Sequence, residues 1–163
     1  MTHATQTTDI TTTTGPFGLP TLEGILGRFS DVGETMARVV TGAFLMPHGA
    51  QKLFGLFGGY GLDATGQFFH DQLGFSNGYL AALGAGSVEF FAGGLLALGL
   101  FTRSASIAIT VMLLVASTVH FGNGFFWPEG GFEYPILWAV MAFSFALKGA
   151  GKVSLDRLFG LKY

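Results

Sequence analysis

Long apolar stretches, separated by short polar or glycine-rich ones, dominate the hydropathy pattern of this chain. The clearest stretch extends from Tyr79 to Leu100, and its one ionisable side chain is Glu89, near the middle. A helix rises about 1.5 Å per residue and the hydrocarbon core of a bilayer is about 30 Å thick, so about 20 apolar residues can cross it. We therefore expect a membrane-spanning helix that carries a carboxylate.

Small residues surround this carboxylate at helical spacing. They are Ala82, Ala85, Gly86, Ala92, Gly93 and Ala97. A charge within hydrocarbon costs about 2.5–3.5 kcal/mol on insertion scales, so Glu89 should face protein, and small neighbours let a second helix approach closely. We expect Glu89 to contact a cationic or hydrogen-bonding group from another helix, with His48 and Lys52 the favoured partners.

Three further apolar segments have the length or periodicity of spanning helices: Val32–Phe54, Ala105–Phe121 and Pro135–Lys148. Ser30 or Asp31 would cap the first of them. In the segment Ala105–Phe121, the polar positions share one stripe with Leu113 and should face other helices. They are Ser106, Thr110, Ser117 and His120.

A shorter amphipathic piece, Ala64–Leu73, is followed by Gly74 and Phe75 in the pattern of a glycine C-cap. It is too short to span and is expected to lie along the membrane interface. The predicted fold class is therefore an all-α integral membrane protein with an antiparallel four-helix transmembrane bundle.

Composition agrees with this class, because 50% of the 163 residues are hydrophobic and 11% are charged. We expect a disordered Thr-rich tail and approach to the membrane over residues 1–30, a transmembrane domain over 31–158 and a cytoplasmic tail over 159–163. With no cysteine, the chain can hold no iron–sulfur cluster or redox dithiol of its own. The net charge of −2 gives no sign of a nucleic-acid partner.

Basic residues decide the predicted orientation. Of the eight Lys and Arg residues, all but Lys52 fall on one side of a four-span arrangement: Arg28, Arg38, Arg103, Lys148, Lys152, Arg157 and Lys162. The positive-inside rule then predicts both termini in the cytoplasm of a bacterial or archaeal cell, with the protein in the cytoplasmic membrane.

This topology brings ionisable groups together at the outer end of the bundle. His48 and Lys52 end the first span, His120 ends the third, and Glu133 opens the fourth. The loop between the last two spans adds polar and aromatic candidates for ligand contact: Asn123, Phe125 and Trp127. Glu89, His48 and His120 are candidate catalytic residues, and Lys52 and Glu133 are candidate ligand-binding residues.

Several of these residues have simpler interpretations. Glu89 could merely fix helix register through an ion pair, and the two histidines could only satisfy loop carbonyls at helix ends. Arg38 is expected to be structural, either reaching the inner surface or paired with Glu34. Arg103 is expected to anchor its short turn to anionic headgroups.

Motifs along most of the chain resemble those of the DoxX family of small four-helix membrane proteins. They are Arg38, His48–Gly49–x–x–Lys52, Glu89 with Gly93–Gly94, Gly99–Leu100–x–Thr102–Arg103, His120 with Asn123–Gly124–Phe125, Glu133–Tyr134–Pro135, and Gly149–x–Gly151–x–x–Ser154–Leu155–Asp156. The family takes its name from a subunit of an archaeal thiosulfate:quinone oxidoreductase. The resemblance implies a fold, a membrane location and a loose link to quinone or thiol redox chemistry.

Three functions remain open from the sequence. The leading one is a quinone-interacting subunit of a membrane redox complex, inactive alone, which would need a membrane or soluble redox protein as partner. The second is a non-enzymatic scaffold, which predicts a rigid polar network without room for a ligand. The third, ranked below both, is haem binding through His48 and His120.

Overall fold

The computed structural model describes residues 21–27 and 29–161, and this part of the chain contains helices and no strand. Its seven helices are α1 (Leu22–Gly27), α2 (Ser30–Phe54), α3 (Gly61–Asp71), α4 (Gly78–Leu98), α5 (Thr102–His120), α6 (Glu133–Lys148) and α7 (Leu155–Leu158). The all-α class is confirmed. The predicted N-terminal tail lies outside the described residues except for its last part, where α1 forms.

The start of α2 differs from the prediction. The helix begins at Ser30, and the preceding Phe29 occupies the N-cap position without a side-chain cap. The Ser30 hydroxyl instead donates to the carbonyl of Gly27, and the Asp31 carboxylate pairs with Lys152 at 2.7 Å. Neither predicted capping residue therefore caps this helix, because each is engaged by another part of the chain.

Helix α3 begins at Gly61, three positions before the predicted start, and its last residue is Asp71, two positions before the predicted end. Gly74 adopts a φ of +72°, its N–H donates to the carbonyl of His70, and the N–H of Phe75 donates to that of Phe69. This is the hydrogen-bond pattern of a glycine C-cap. The predicted cap at Gly74 is confirmed.

The four long helices contact one another in a ring. α2 packs against α4, α4 against α5, α5 against α6, and α6 returns to contact α2, while α3 packs on the beginning of α4. Buried apolar side chains from all four form the core: Leu45, Leu96, Ala105, Ile109, Leu113, Ala139, Ala142 and Phe145.

The polar stripe of α5 faces the other helices, as predicted. Ser106 and Ser117 are buried, with exposures of 0% and 1%, and Thr110 is 9% exposed. The hydroxyls of Thr110 and Ser117 donate to carbonyls one turn earlier in the same helix. Thr110 and Ser117 thus bond within α5, whereas the buried Ser106 hydroxyl has no hydrogen-bond partner among the described residues. Small size rather than interhelical bonding suits these side chains to the interface.

Helices α2 and α4 meet backbone to backbone at glycines. A Cβ placed on Gly49 would lie 2.5 Å from the backbone nitrogen of Phe90 and 2.6 Å from the carbonyl oxygen of Gly86. One heptad earlier, a Cβ on Gly42 would collide with Gly93. Positions rising along α2 meet positions falling along α4, so the two helices are antiparallel, and their axes approach as closely as glycine allows.

Two of the described helices are long and apolar enough to cross a membrane. They are α4 (Gly78–Leu98) and α5 with its 3₁₀ extension (Thr102–Asn123). α6 has 16 residues and is too short to be counted with these two helices. α2 has 25 residues but carries several charged side chains. The four-span count therefore stays a prediction.

Substituting Gly49 tests the close contact. We expect Gly49→Ala to lower the free energy of unfolding in detergent by about 1–3 kcal/mol, because the added methyl group meets backbone that cannot move aside cheaply. Gly84→Ala is the matched control, since nothing lies within 4 Å of a Cβ at that position in α4. Equal thermal unfolding of the two variants would contradict the packing.

Candidate functional site

Glu89 lies in an irregular turn in the middle of α4. Residues Val88–Ala92 form a π-helical turn within the otherwise α-helical segment. A π turn accommodates one extra residue, changes the direction of the side chains around it, and is frequent at functional sites. Glu89 is 7% exposed and points between helices. Helical periodicity alone could not reveal this turn.

Lys52 of α2 is the partner of Glu89, as predicted. Its ammonium lies 2.7 Å from Oε2 and 2.9 Å from Oε1 of the carboxylate. The two side chains differ in exposure, at 24% for Lys52 and 9% for Glu89. The ion pair is therefore buried at the carboxylate and partly open at the ammonium.

The close packing of α2 and α4 positions this pair. Gly49 lies one turn before Lys52 and contacts the backbone around Gly86 and Phe90. This contact holds the last turns of α2 against the π turn, so that a lysine side chain can reach the buried carboxylate. The Lys52–Glu89 ion pair therefore depends on the close packing at Gly49.

His48 lies beside the pair, and two aromatic residues that contact each other lie close to it in the sequence. His48 is exposed, lies within electrostatic range of Glu89, and offers its backbone carbonyl to the Lys52 ammonium at 3.5 Å. Phe54 and Phe90 meet edge to face with centroids 5.3 Å apart. We call His48, Lys52 and Glu89 the Glu89 site.

His120 belongs to a different group of contacts. Its Nδ1 lies 2.7 Å from the carbonyl oxygen of Gly130, to which the side-chain amide of Asn123 also donates at 3.1 Å. The imidazole ring lies 5.8 Å from Trp127, which stacks on Tyr134 at 5.1 Å. These contacts hold the loop between α5 and α6 in place.

Phe125 and Glu133 also belong to this loop. Phe125 meets Phe126 and Phe132 edge to face at 5.4 and 5.6 Å, and its carbonyl accepts the backbone N–H of Glu133. Within the described residues, no hydrogen bond, ion pair or ring contact joins this loop group to the Glu89 site. The predicted convergence of all these residues on one site is therefore seen only for His48, Lys52 and Glu89.

Arg38 lies at the opposite end of α2 and is almost fully buried, at 2% exposure. Its Nη1 donates to the carbonyls of Leu96 and Ala97, both at 2.6 Å, and its Nη2 donates to that of Val153 at 2.7 Å. The last carbonyls of a helix lack intrahelical donors, and a cation there interacts favourably with the helix dipole. Arg38 thus binds the end of α4 to the segment after α6.

The structure corrects the expected partner of Arg38 and adds a contact within the protein for Arg103, whose expected contact with headgroups stays a prediction. Glu34, considered as a partner of Arg38, instead pairs with Lys148 of α6 at 2.8 Å. Arg103 uses its Nη1 to donate to the carbonyls of Ala146 and Leu147, at 2.6 and 2.8 Å. Both arginines therefore bind helix C-termini within the protein.

Asp156 is a buried carboxylate that the sequence reasoning missed as a functional group. Its two oxygens accept the backbone N–H groups of Phe101 and Thr102, at 2.7 and 2.9 Å, and its own N–H donates to Gly99. Phe101 has a left-handed φ of 49°, which is costly for a bulky residue. The Ser154–Leu155–Asp156 motif could have drawn attention to this carboxylate. It could not have revealed the partner, because the Phe101 N–H that Asp156 accepts lies 55 positions earlier in the chain.

Two surface clefts lie away from the Glu89 site. One, of about 400 Å³, lies beside Arg103, Lys148 and Arg157, and the other, of about 490 Å³, lies between α3 and the beginning of α4. Neither cleft is lined by Glu89, Lys52 or His48. The predicted outward cavity thus remains a prediction, and any ligand at the Glu89 site would reach it from the open side of Lys52.

Across residues 21–27 and 29–161, helical structure with two bilayer-length apolar helices and a buried mid-helix ion pair has the features of a small helical membrane protein. Residues 33–121 match the DoxX family, and the chain belongs to that family. An uncharacterized protein of Haemophilus influenzae is 31% identical over 70 residues, which are 42% of this chain and 46% of that relative. The chain thus matches about half the length of this relative. No solved structure matches it.

A double-mutant cycle tests the coupling of Lys52 and Glu89. We expect Lys52→Met to destabilise the protein by roughly 3 kcal/mol, the low end for a buried pair, because it leaves the carboxylate without its cation. The double variant with Glu89→Gln should lose less than the sum of the two single variants. Additive losses in detergent unfolding would show that the two residues do not interact.

Proposed function

We propose that this DoxX protein is a four-span subunit of a membrane redox complex that contacts quinone through the Glu89 site. The Lys52–Glu89 ion pair is the observation that carries the proposal. It combines a carboxylate buried within α4 with a partly exposed ammonium 2.7 Å away. Ionisable groups held at membrane depth are rare and are associated with proton or substrate pathways.

The outer faces of α2 and α6 support four spans rather than two. Both helices expose rows of large apolar side chains at helical spacing: Met36, Val40 and Phe44 on α2, and Leu137, Val140, Phe143 and Leu147 on α6. Soluble monomers rarely expose apolar faces of this extent. Lipid contact along all four long helices accounts for these rows.

The distribution of charge supports an orientation with both termini in the cytoplasm. Arg38, Arg103 and Lys148 all contact groups at the end of the ring where α4 and α6 end. Lys52 lies at the other end of α2. Under the positive-inside rule, the Glu89 site then faces the extracytoplasmic side of the membrane.

The side chains of the Glu89 site suit a quinone ring. A quinone presents two carbonyl acceptors, for which Lys52 and the exposed His48 are donors of the right type, and Phe54 and Phe90 offer flat apolar surfaces beside them. Quinone reduction takes up protons, and Glu89 can hold one and pass it through Lys52. Electrons would come from a partner protein, since the chain has no cysteine to hold a metal cluster.

A scaffold function is the second candidate. His120 and Asn123 both contact the carbonyl of Gly130, and Nη1 of Arg38 and Nη1 of Arg103 donate to carbonyls at helix ends. A rigid polar network of this kind is what a purely structural subunit requires. In that case the Lys52–Glu89 pair only sets the register of α2 against α4.

Protease accessibility tests the topology. We expect a C-terminal tag to survive protease treatment of intact spheroplasts and to be cleaved after lysis, because the basic end should face the cytoplasm. A tag placed in the Phe57–Gly58 loop after α2 should be cleaved from outside. Cleavage of the C-terminal tag in intact spheroplasts would refute the orientation.

Quinone retention tests the site. In the complex purified in mild detergent, we expect Lys52→Ala to lose most of the extractable quinone, whereas Glu89→Gln should keep quinone but lose quinone-dependent activity. Lys152→Ala is the matched control, because it removes an exposed lysine that pairs with Asp31 far from the site. Protein abundance is measured alongside, since breaking a buried pair can cost several kcal/mol.

The scaffold function makes the opposite prediction. If Lys52→Ala and Glu89→Gln both accumulate normally and retain wild-type quinone content and activity, the ion pair is structural and the quinone proposal fails.

A further inference from the structure

Arg157 is a cation at the basic end of the molecule whose side chain takes part in none of the contacts between the helix termini. It lies in α7 and is exposed, and its backbone N–H donates to the Ser154 hydroxyl at 3.3 Å. Within residues 21–27 and 29–161, its guanidinium forms no hydrogen bond or ion pair with protein. It lines the cleft of about 400 Å³ together with Arg103 and Lys148.

The residues that line this cleft carry a net positive charge, and only some of their hydrogen-bond donors have partners in the protein. Arg103 donates to helix carbonyls through Nη1, while its Nη2 and Nε lie 3.5 and 3.6 Å from where a Cβ of Gly149 would be. Asp156 also lines the cleft, but both of its oxygens already accept backbone N–H groups. Lys148 is compensated by Glu34. The two guanidinium groups are therefore the donors left for an anion.

Exposed apolar side chains lie next to the cleft-lining residues in the sequence. Leu158 and Phe159 directly follow Arg157, with exposures of 73% and 62%, and Val153 is 62% exposed. Apolar side chains beside cations at the end of a membrane helix are typical of the interface between headgroups and acyl chains. The Arg157 guanidinium of the cleft is thus followed directly in the chain by exposed side chains suited to hydrocarbon.

We propose that this cleft binds the phosphate group of an anionic phospholipid. Arg157 and the free nitrogens of Arg103 donate to the phosphate oxygens, and Leu158 and Phe159 lie against the acyl chains. Guanidinium groups match phosphate geometry and form short charge-assisted hydrogen bonds with it. The inference uses the membrane location of the protein and is independent of quinone.

Lipid titration of the purified full chain in mild detergent, followed by native mass spectrometry, tests the proposal. The probes are phosphatidylglycerol, phosphatidylcholine and water-soluble glycerol 1-phosphate. We expect phosphatidylglycerol to bind preferentially and Arg157→Gln to weaken that binding roughly five-fold, the effect of one basic residue at a membrane surface. Lys152→Gln removes a nearby exposed lysine outside the cleft and should leave binding within two-fold of wild type.

Other outcomes would overturn the proposal. Equal weakening by Arg157→Gln and Lys152→Gln would indicate general surface attraction without a site. Equal binding of both lipids would remove the anionic preference. Arg157-dependent binding of glycerol 1-phosphate as tight as that of the lipid would identify a soluble phosphate as the ligand. Arg157→Lys keeps the charge but lacks the guanidinium fork, so it should bind more weakly than wild type and more tightly than Arg157→Gln. Wild-type affinity of Arg157→Lys would contradict a role for guanidinium geometry.

Discussion

Hydrocarbon cannot solvate charge, and this constraint explains most of the polar contacts in the protein. A buried charge in such a medium is tolerated only when it is paired or hydrogen-bonded. Lys52 meets the requirement for Glu89, backbone carbonyls meet it for Arg38, and backbone N–H groups meet it for Asp156. The close contact at Gly49 serves the same end, since it brings Lys52 within reach of the carboxylate.

The two ends of the molecule use charge differently. At the basic end, Arg38, Arg103 and Asp156 form hydrogen bonds with backbone groups at helix termini and so help to hold α4, α5 and α6 together. At the other end, the Lys52–Glu89 pair binds side chain to side chain and stays partly open to its surroundings. An ion pair of this kind can exchange a proton or a partner, which is why we propose a function there.

Sequence reasoning predicted the helices and the Glu89–Lys52 contact because both follow from helical spacing and the cost of buried charge. It could not predict the π turn around Glu89, since one extra residue in a turn leaves no periodic signal. It grouped His120 with Glu89 by topological end alone, whereas the imidazole contacts Gly130 in its own loop. The partners of Arg38 and Asp156 are backbone atoms, which any residue type supplies, so residue identity could not reveal them.

The proposed function depends on the contact between Lys52 and Glu89, and a distance measurement in lipid bilayers tests that contact most directly. Solid-state NMR can measure the separation between the Lys52 side-chain nitrogen and the Glu89 carboxyl carbon in selectively labelled protein. Oxygens 2.7 and 2.9 Å from the nitrogen predict strong dipolar coupling between the two nuclei. Absence of measurable coupling in folded protein would contradict the ion pair and the assignment of function built on it.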